Sequence, residues 1–252
     1  MIEPQPQQPP SDPPVVDEGL QAKEPKRIAG MFDAIARRYD LLNRVLSAGL
    51  DRRWRRQAVR ALALRPGERL LDLCTGTADV ALEAARQSPG SPVVGVDFSQ
   101  EMLRLGLQKV QARRGGPPIG LVRGDATALP IASNSVDAAV IAFGIRNVQV
   151  PEAACRELAR VIRAGGRLAV LEFGLPPPGL IRSAYLWYAK RILPAVGRAV
   201  SRHASAYAYL PESVSRFPPP EEFGQLLQTT GFPHVEIRPL TFGIVYLYVA
   251  WR

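Results

Sequence analysis

The sequence predicts an α/β protein built on a doubly wound, mostly parallel sheet that ends in an antiparallel hairpin. Three observations carry that prediction. Between residues 65 and 251, short apolar runs alternate with amphipathic stretches, the pattern of strands separated by crossover helices. The runs are near-continuously apolar, as in P-V-V-G-V-D at 92–97, which suits a parallel strand covered on both faces. The last two β-rich segments, 235–239 and 243–251, are too close for a crossover helix and should pair antiparallel.

Taken in order, residues 28–64 read as a helical cap in front of the sheet. A Pro66-Gly67 turn precedes the first strand at 69–73 (R-L-L-D-L), and a helix follows at 78–87 with Val80, Leu82, Ala84 and Ala85 on its apolar side. After the second strand, Ser99 is placed to cap a helix whose buried face carries Met102, Leu103, Leu107 and Val110, up to a breaker at 113–118. The third and fourth strands fall at 119–123 and 136–143. Pro151 opens the next helix in its first turn, where the missing N–H costs nothing, and Gly165-Gly166 is read as its end. A fifth strand at 167–173 (R-L-A-V-L-E-F), a helical lid at about 180–210 and a helix near 221–230 lead into the hairpin, for seven strands altogether.

The chain has 252 residues, 24 prolines, two cysteines and a formal net charge of +9. That length can bury a core unaided. Pro4, Pro6, Pro9, Pro10, Pro13 and Pro14 lie among Gln, Glu and Asp with few bulky apolar neighbours, so 1–25 is expected to be a disordered tail and 26–252 one domain. The tail has neither the basic start nor the apolar run of a secretory signal. Cys74 and Cys155 lack C-x-x-C spacing, which leaves no disulfide framework or zinc knuckle and points to a reducing, cytoplasmic compartment. The longest apolar run, 138–145, is a strand length and falls short of the ~18 residues of a membrane span. The positive excess admits an anionic membrane surface, nucleic acid, an acidic substrate or no anionic ligand at all.

In an open parallel sheet, ligands bind at the carboxyl ends of the strands, and the first strand-to-helix turn takes the cofactor. Here that turn is D-L-C-T-G-T-A-D at 72–79, with Gly76 its only glycine, so the dinucleotide fingerprint fails. Asp72 and Asp79 would also repel a phosphate. Asp97 and Asp125 close the second and third strands at the same edge. A cofactor with positive charge and no phosphate fits, and S-adenosylmethionine has those parts. Gly76 would let the backbone approach its methionine end, Asp72 would favour the ammonium, Asp97 would accept the ribose hydroxyls, and Asp125 with the Ala126 N–H would take the adenine. No cluster has metal-ligand spacing.

The runs Y-D-L-L-N-R-V-L-S-A-G-L-D-R-R-W-R-R (39–56), L-D-L-C-T-G-T-A-D (71–79), F-G-I-R-N-V (143–148), R-V-I-R-A-G-G-R-L-A-V-L-E-F (160–173) and Y-A-Y-L-P-E-S-V-S-R-F-P (207–218) resemble the quinone-ring C-methyltransferases of menaquinone and ubiquinone biosynthesis. The likeness spans about 30–250. It implies a Rossmann-like methyltransferase fold, with cofactor contacts at Thr77, Asp97, Asp125, Ala126 and Ala142. It also implies methylation of a ring carbon on a demethylated, prenylated benzoquinol or naphthoquinol, demethylmenaquinol being favoured. Two positions depart from the family pattern. Ala142 stands where a small polar residue or Gly is common, and Asp51 stands where His is common, so Asp51 is assigned no chemistry.

Methyl transfer to an aromatic carbon needs an electron-rich ring, so the acceptor should be the reduced quinol. Arg146 and Asn147 follow the fourth strand, where Arg146 can stabilise a phenolate-like oxygen and Asn147 can orient the hydroxyl or a water. Arg146 has the alternative of a structural ion pair. Tyr39 is a candidate for covering the cofactor, with a packed aromatic as its alternative. His203 and His234 are expected to be exposed. Ile181, Tyr185, Tyr188 and Ile192 recur at helical spacing, with Trp187, Arg182, Lys190, Arg191, Arg198 and Arg202 around them. They fit a lid helix or an interfacial helix on an anionic membrane where a prenyl tail enters. The fourth strand does not end in the Asn/Asp-Pro-Pro-aromatic turn of base methylation, which disfavours RNA and DNA as partners. Another small lipid or phenol stays open as acceptor, and so does a homodimer.

Overall fold

The computed structural model describes residues 22–200 and 204–252. Most of the expected tail (1–21), Arg202 and His203 therefore lie outside the described residues. Helices α1 (Pro25–Leu46) and α2 (Leu50–Ala61) precede β1 (Leu70–Leu73), α3 (Asp79–Gln87), β2 (Val93–Asp97), α4 (Gln100–Ala112), β3 (Ile119–Arg123) and β4 (Val136–Ala142). Then come a 3-10 turn (Ile145–Asn147), α5 (Pro151–Val161), β5 (Ile162–Phe173), α6 (Leu180–Val200), α7 (Ala204–Arg216), α8 (Pro220–Thr229), β6 (His234–Leu240) and β7 (Val245–Trp251).

The seven strands run in the order β3-β2-β1-β4-β5-β7-β6. The first five pair in parallel and β7 pairs antiparallel with both β5 and β6, as the sequence predicts. The chain leaves β1 toward β2 and β3, then returns to place β4 on the other side. That reversal opens a crevice at the carboxyl ends of β1 and β4.

Each face of the sheet carries its own core, because successive strand residues point to opposite sides. Leu71, Leu73 and Ile141 pack with Leu158 of α5 and Phe223 of α8. Leu70, Val140 and Leu171 pack with Trp54 of α2 and Val80 and Ala84 of α3. Among the described residues no helix is long and apolar enough to cross a membrane.

Several boundaries depart from expectation. The cap is two helices broken at Ser47–Gly49, where Gly49 takes φ +79°. The lid region is also two helices, α6 and α7, with Pro211 inside α7. β3 ends at Arg123, so Asp125 sits two residues beyond it, in a bridge with Ala128. The last strand starts at Val245, after a 3-10 turn at Thr241–Gly243.

The largest departure concerns Gly165-Gly166, which does not end α5. The helix stops at Val161, and Ile162 already pairs with Val136; the register then breaks and resumes at Ala138 with Arg167. The glycines build that bulge. Gly165 takes φ +74°, and a Cβ on Gly166 would lie 2.4 Å from Ile162 Cγ2 and 2.7 Å from the Asp137 carbonyl oxygen. We therefore expect Gly166→Ala to lower stability by about 1–3 kcal/mol. Gly120→Ala in β3, where a Cβ would meet nothing within 4 Å, should be neutral or slightly stabilising. Urea unfolding of both variants checks this, and equal losses would contradict it.

Candidate functional site

The β1–α3 turn bends tightly because Cys74 (φ +56°), Gly76 (φ +55°) and Ala78 (φ +64°) are all left-handed, a conformation only the glycine adopts without strain. Asp97, at the end of β2, ties this turn to the next. One carboxylate oxygen accepts from the Gly76 N–H (2.8 Å) and the other from the Ser99 N–H (2.8 Å). Burial raises its pKa above the usual carboxylate range, although those bonds oppose the shift. Ser99 caps α4 as predicted, its hydroxyl accepting from the Met102 N–H.

Two polar contacts strap α1 across this edge. Asp33 accepts from the Ser99 hydroxyl (2.5 Å) and the Glu101 N–H (3.1 Å). Asp40 accepts from the Thr77 hydroxyl (2.7 Å) and pairs with Lys109 (2.5 Å), which also reaches Asp79 (2.7 Å).

Beneath α1 lies a cavity of about 450 Å³ lined by Gly76, Asp97, Asp125, Ala126, Ala142, Asn147 and Tyr39. Seven of the ten predicted site residues are thus together. Tyr39 sits edge-on to Phe32 (centroids 5.9 Å), and its hydroxyl, hydrogen-bonded to Asn43, is pushed up in pKa by burial. Asp125 Oδ1 accepts from both the Thr127 N–H and hydroxyl (2.8 Å each), which fixes the loop after β3. Asn147 donates to the Phe143 carbonyl (3.3 Å), while its Oδ1 is buried with no partner among the described residues. It is an acceptor waiting for a donor.

Three predicted residues do not line that cavity. Asp72 is on the opposite face of β1 from Leu73, which does line it. Its Oδ2 accepts from the Thr75 hydroxyl (2.5 Å) and the Ala81 N–H (3.0 Å), so it braces the turn from behind. Thr77 is buried in the Asp40–Lys109 contact. Arg146 is buried in an ion pair with Glu172 (2.6 Å), and the same nitrogen donates to the Phe143 carbonyl (2.8 Å). The Arg146 N–H also donates to Glu172 (3.2 Å).

These bonds fix Phe143, a bulky residue held at φ +59°. The following Gly144 leaves no room for a side chain, since a Cβ there would lie 2.4 Å from Cys74 Cβ. Phe143 also lines a second cavity of about 580 Å³ that the sequence did not reveal. Its walls are mostly apolar: Trp54, Phe143 and Phe173 form an aromatic cluster with centroids 4.6–6.2 Å apart, faced by Ile181, Tyr185, Tyr188 and Ile192 of α6. The helical spacing read from the sequence therefore puts these four residues on one wall of the cavity. Among its few polar groups are Ser47, Asp51 and Arg55; the Asp51–Arg55 pair is buried. The only advance signal for Arg55 was its place beside Trp54 in a run of arginines, four residues after Asp51.

A doubly wound sheet whose carboxyl edge carries the part-buried Asp97 and Asp125, without a phosphate cradle, has the architecture of the Rossmann-like methyltransferases. Solved structures share the fold. A SAM dependent methyltransferase from Aquifex aeolicus aligns at TM-score 0.59 with 18% identity, covering 90% of this chain and 97% of the other. Phosphoethanolamine N-methyltransferase 2 of Haemonchus contortus, solved with S-adenosyl-L-methionine, aligns at TM-score 0.59 with 16% identity, over 78% of this chain and 52% of that one.

The ubiE/COQ5 methyltransferase family matches residues 20–252, and the chain belongs to it. Curated relatives include the ubiquinone/menaquinone biosynthesis C-methyltransferase UbiE of Syntrophotalea carbinolica, 49% identical over 88% of this chain and 92% of that protein. The demethylmenaquinone methyltransferase of Thermus thermophilus is 46% identical over 88% of this chain and all of that one. The protein is a methyltransferase, and S-adenosylmethionine, the methyl donor that membership of this family implies, is its cofactor.

Burial raises the Asp72 pKa from 3.8 to about 7, against the pull of its two hydrogen bonds. Between those values the folded protein holds a proton that the unfolded chain has released, so this group's contribution to stability falls as pH rises and is flat above about 7. Asp72→Asn should flatten that part of the pH profile of the cofactor-free protein. Urea unfolding at several pH values checks it, and parallel profiles for the two proteins would contradict it.

Proposed function

We propose that this enzyme methylates a ring carbon of a reduced, prenylated, demethylated quinol, demethylmenaquinol being the favoured acceptor. The carrying observation is the pair of cavities that share Phe143 as a wall: one edged by the Asp97 and Asp125 carboxylates, the other larger and more apolar. The first suits the cofactor and the second suits a ring with a hydrocarbon tail. Bound in the first, S-adenosylmethionine supplies an electrophilic methyl group and carries no phosphate, in keeping with the acidic edge.

The residues divide the work. Asp97 and the Ala126 N–H suit the cofactor's ribose hydroxyls and adenine, Asp125 flanks the adenine end, and Gly76 and Ala142 offer backbone where no side chain intervenes. Asn147 lines the cavity, and its amide suits the orienting of a hydroxyl or a water. Arg146 acts on the reaction by fixing the Phe143 carbonyl and so the wall between the chambers. Tyr39 and α1 cover the cofactor cavity and exclude water.

The second cavity reaches the surface between α1 and α6, since Val45 and Ile181 both line it and are about half exposed. Leu180 and Trp187 beside that mouth are 90% and 61% exposed. These apolar side chains, with exposed Arg44 and Arg191 nearby in sequence, support transient docking on an anionic membrane that holds the substrate. The expected location is the cytoplasm, at the membrane's inner face.

Labelled S-adenosylmethionine supplied with reduced demethylated naphthoquinols and benzoquinols should yield a ring-methylated naphthoquinol, identified by mass spectrometry. Label in an unrelated phenol or in RNA, with neither quinol labelled, would overturn the reading. Sedimentation with anionic vesicles should be strong at low salt and weaken as salt rises. Failure to sediment at any salt would remove the membrane component.

A further inference from the structure

Asp51 is a buried carboxylate in the wall of an otherwise mostly apolar chamber. Its Oδ1 accepts from the Ser47 hydroxyl (3.0 Å), and its Oδ2 is held by Arg55 Nη1. Each carboxylate oxygen can accept two hydrogen bonds, so these contacts leave acceptor capacity on both. Arg55 is in turn set by Asp79 (3.8 Å), and its guanidinium carbon lies 5.7 Å from the centre of the Phe143 ring. The pair therefore stands beside the wall that the two cavities share, where a ring entering the apolar chamber must stop.

An ionised carboxylate accepts hydrogen bonds and donates none. A quinol hydroxyl can donate to it, whereas a quinone carbonyl cannot and brings its own partial negative charge. We propose that Asp51 reads the redox state of the acceptor: it binds a ring hydroxyl of the quinol and rejects the quinone, with Arg55 as the positioning residue that holds the carboxylate in place. This inference rests on the quinol reading of the second cavity. It gives that reading a selectivity device, because a buried polar group left unpaired by the wrong ligand discriminates far better than shape alone. Ser47 orients the same oxygen, and the apolar surroundings keep competing water away.

The test is anaerobic titration calorimetry with a 2-prenyl-1,4-dihydroxynaphthalene and the corresponding naphthoquinone, in the presence of S-adenosylhomocysteine. The wild-type protein should bind the diol at least about tenfold more tightly than the quinone, the value of one hydrogen bond to a buried charged acceptor. In Asp51→Asn, whose amide can donate to a carbonyl, the ratio should collapse to within about twofold while S-adenosylhomocysteine affinity is kept. Asp51→Glu should retain the preference. If the amide variant does not fold, Asp51→Ser, which donates and accepts, carries the same comparison. An unchanged ratio in folded Asp51→Asn overturns the role of Asp51 and leaves the methylation reading standing. Failure of the wild-type protein to bind either compound overturns both.

Discussion

The arrangement of this enzyme depends on holding Phe143 where a phenylalanine backbone does not willingly sit. A left-handed bulky residue costs on the order of 1–3 kcal/mol and persists only when its surroundings over-determine it. Here the Phe143 N–H donates to the Leu171 carbonyl (2.7 Å), and its own carbonyl accepts from both Arg146 and Asn147. Glu172, fully buried on β5, pins Arg146 through both its backbone and its side chain. Losing either partner of such a pair would leave an uncompensated buried charge, so the pair acts as a rigid brace rather than a net source of stability. The F-G-I-R-N turn is thus a single device. Its glycine passes Cys74, its arginine and asparagine hold the strained carbonyl, and its phenylalanine separates the two chambers.

Much of the fold was legible in the sequence for one reason. A strand covered on both faces must be apolar throughout, and a surface helix must not be, so the chain alternates two recognisable patterns. The carboxyl-edge rule then put Gly76, Asp97, Asp125 and Ala126 on one cavity, and the family resemblance added Ala142. It failed at Asp72 because the pleat alternates: Leu73 faces the cavity, and its neighbour must face α3. The Gly165-Gly166 pair was misread because glycine serves a helix end and a bulge equally well, and only the pairing of Ile162 with Val136 decides between them. Of the second cavity, only the α6 face left a local signature, in the spacing of Ile181, Tyr185, Tyr188 and Ile192. The cavity's walls come from the α1–α2 junction, the β4 end, α6 and the turn at Thr241, where the Trp54 indole N–H donates to the Thr241 hydroxyl (2.9 Å).

The charge excess divides along the same lines. On α2, Arg52, Arg53, Arg56 and Arg60 are exposed while Arg55 is buried, because helical periodicity turns it inward with Trp54, Ala58 and Val59. One arginine of that basic run therefore belongs to the interior and the others to the surface. Under α1, Asp33, Asp40 and Asp97 each knit one segment to another.

In the proposed function, cofactor and acceptor occupy separate chambers that meet at Phe143. A crystal structure of the protein with S-adenosylhomocysteine and a reduced prenylated naphthoquinol tests it directly. The expected result is S-adenosylhomocysteine beneath α1 with its ribose at Asp97, the naphthalene ring against Phe143 within reach of Asp51, and the prenyl chain between α6 and the Trp54–Phe173 cluster. A prenyl chain lying in the α1 cavity, or a ring bound away from Phe143, would contradict it.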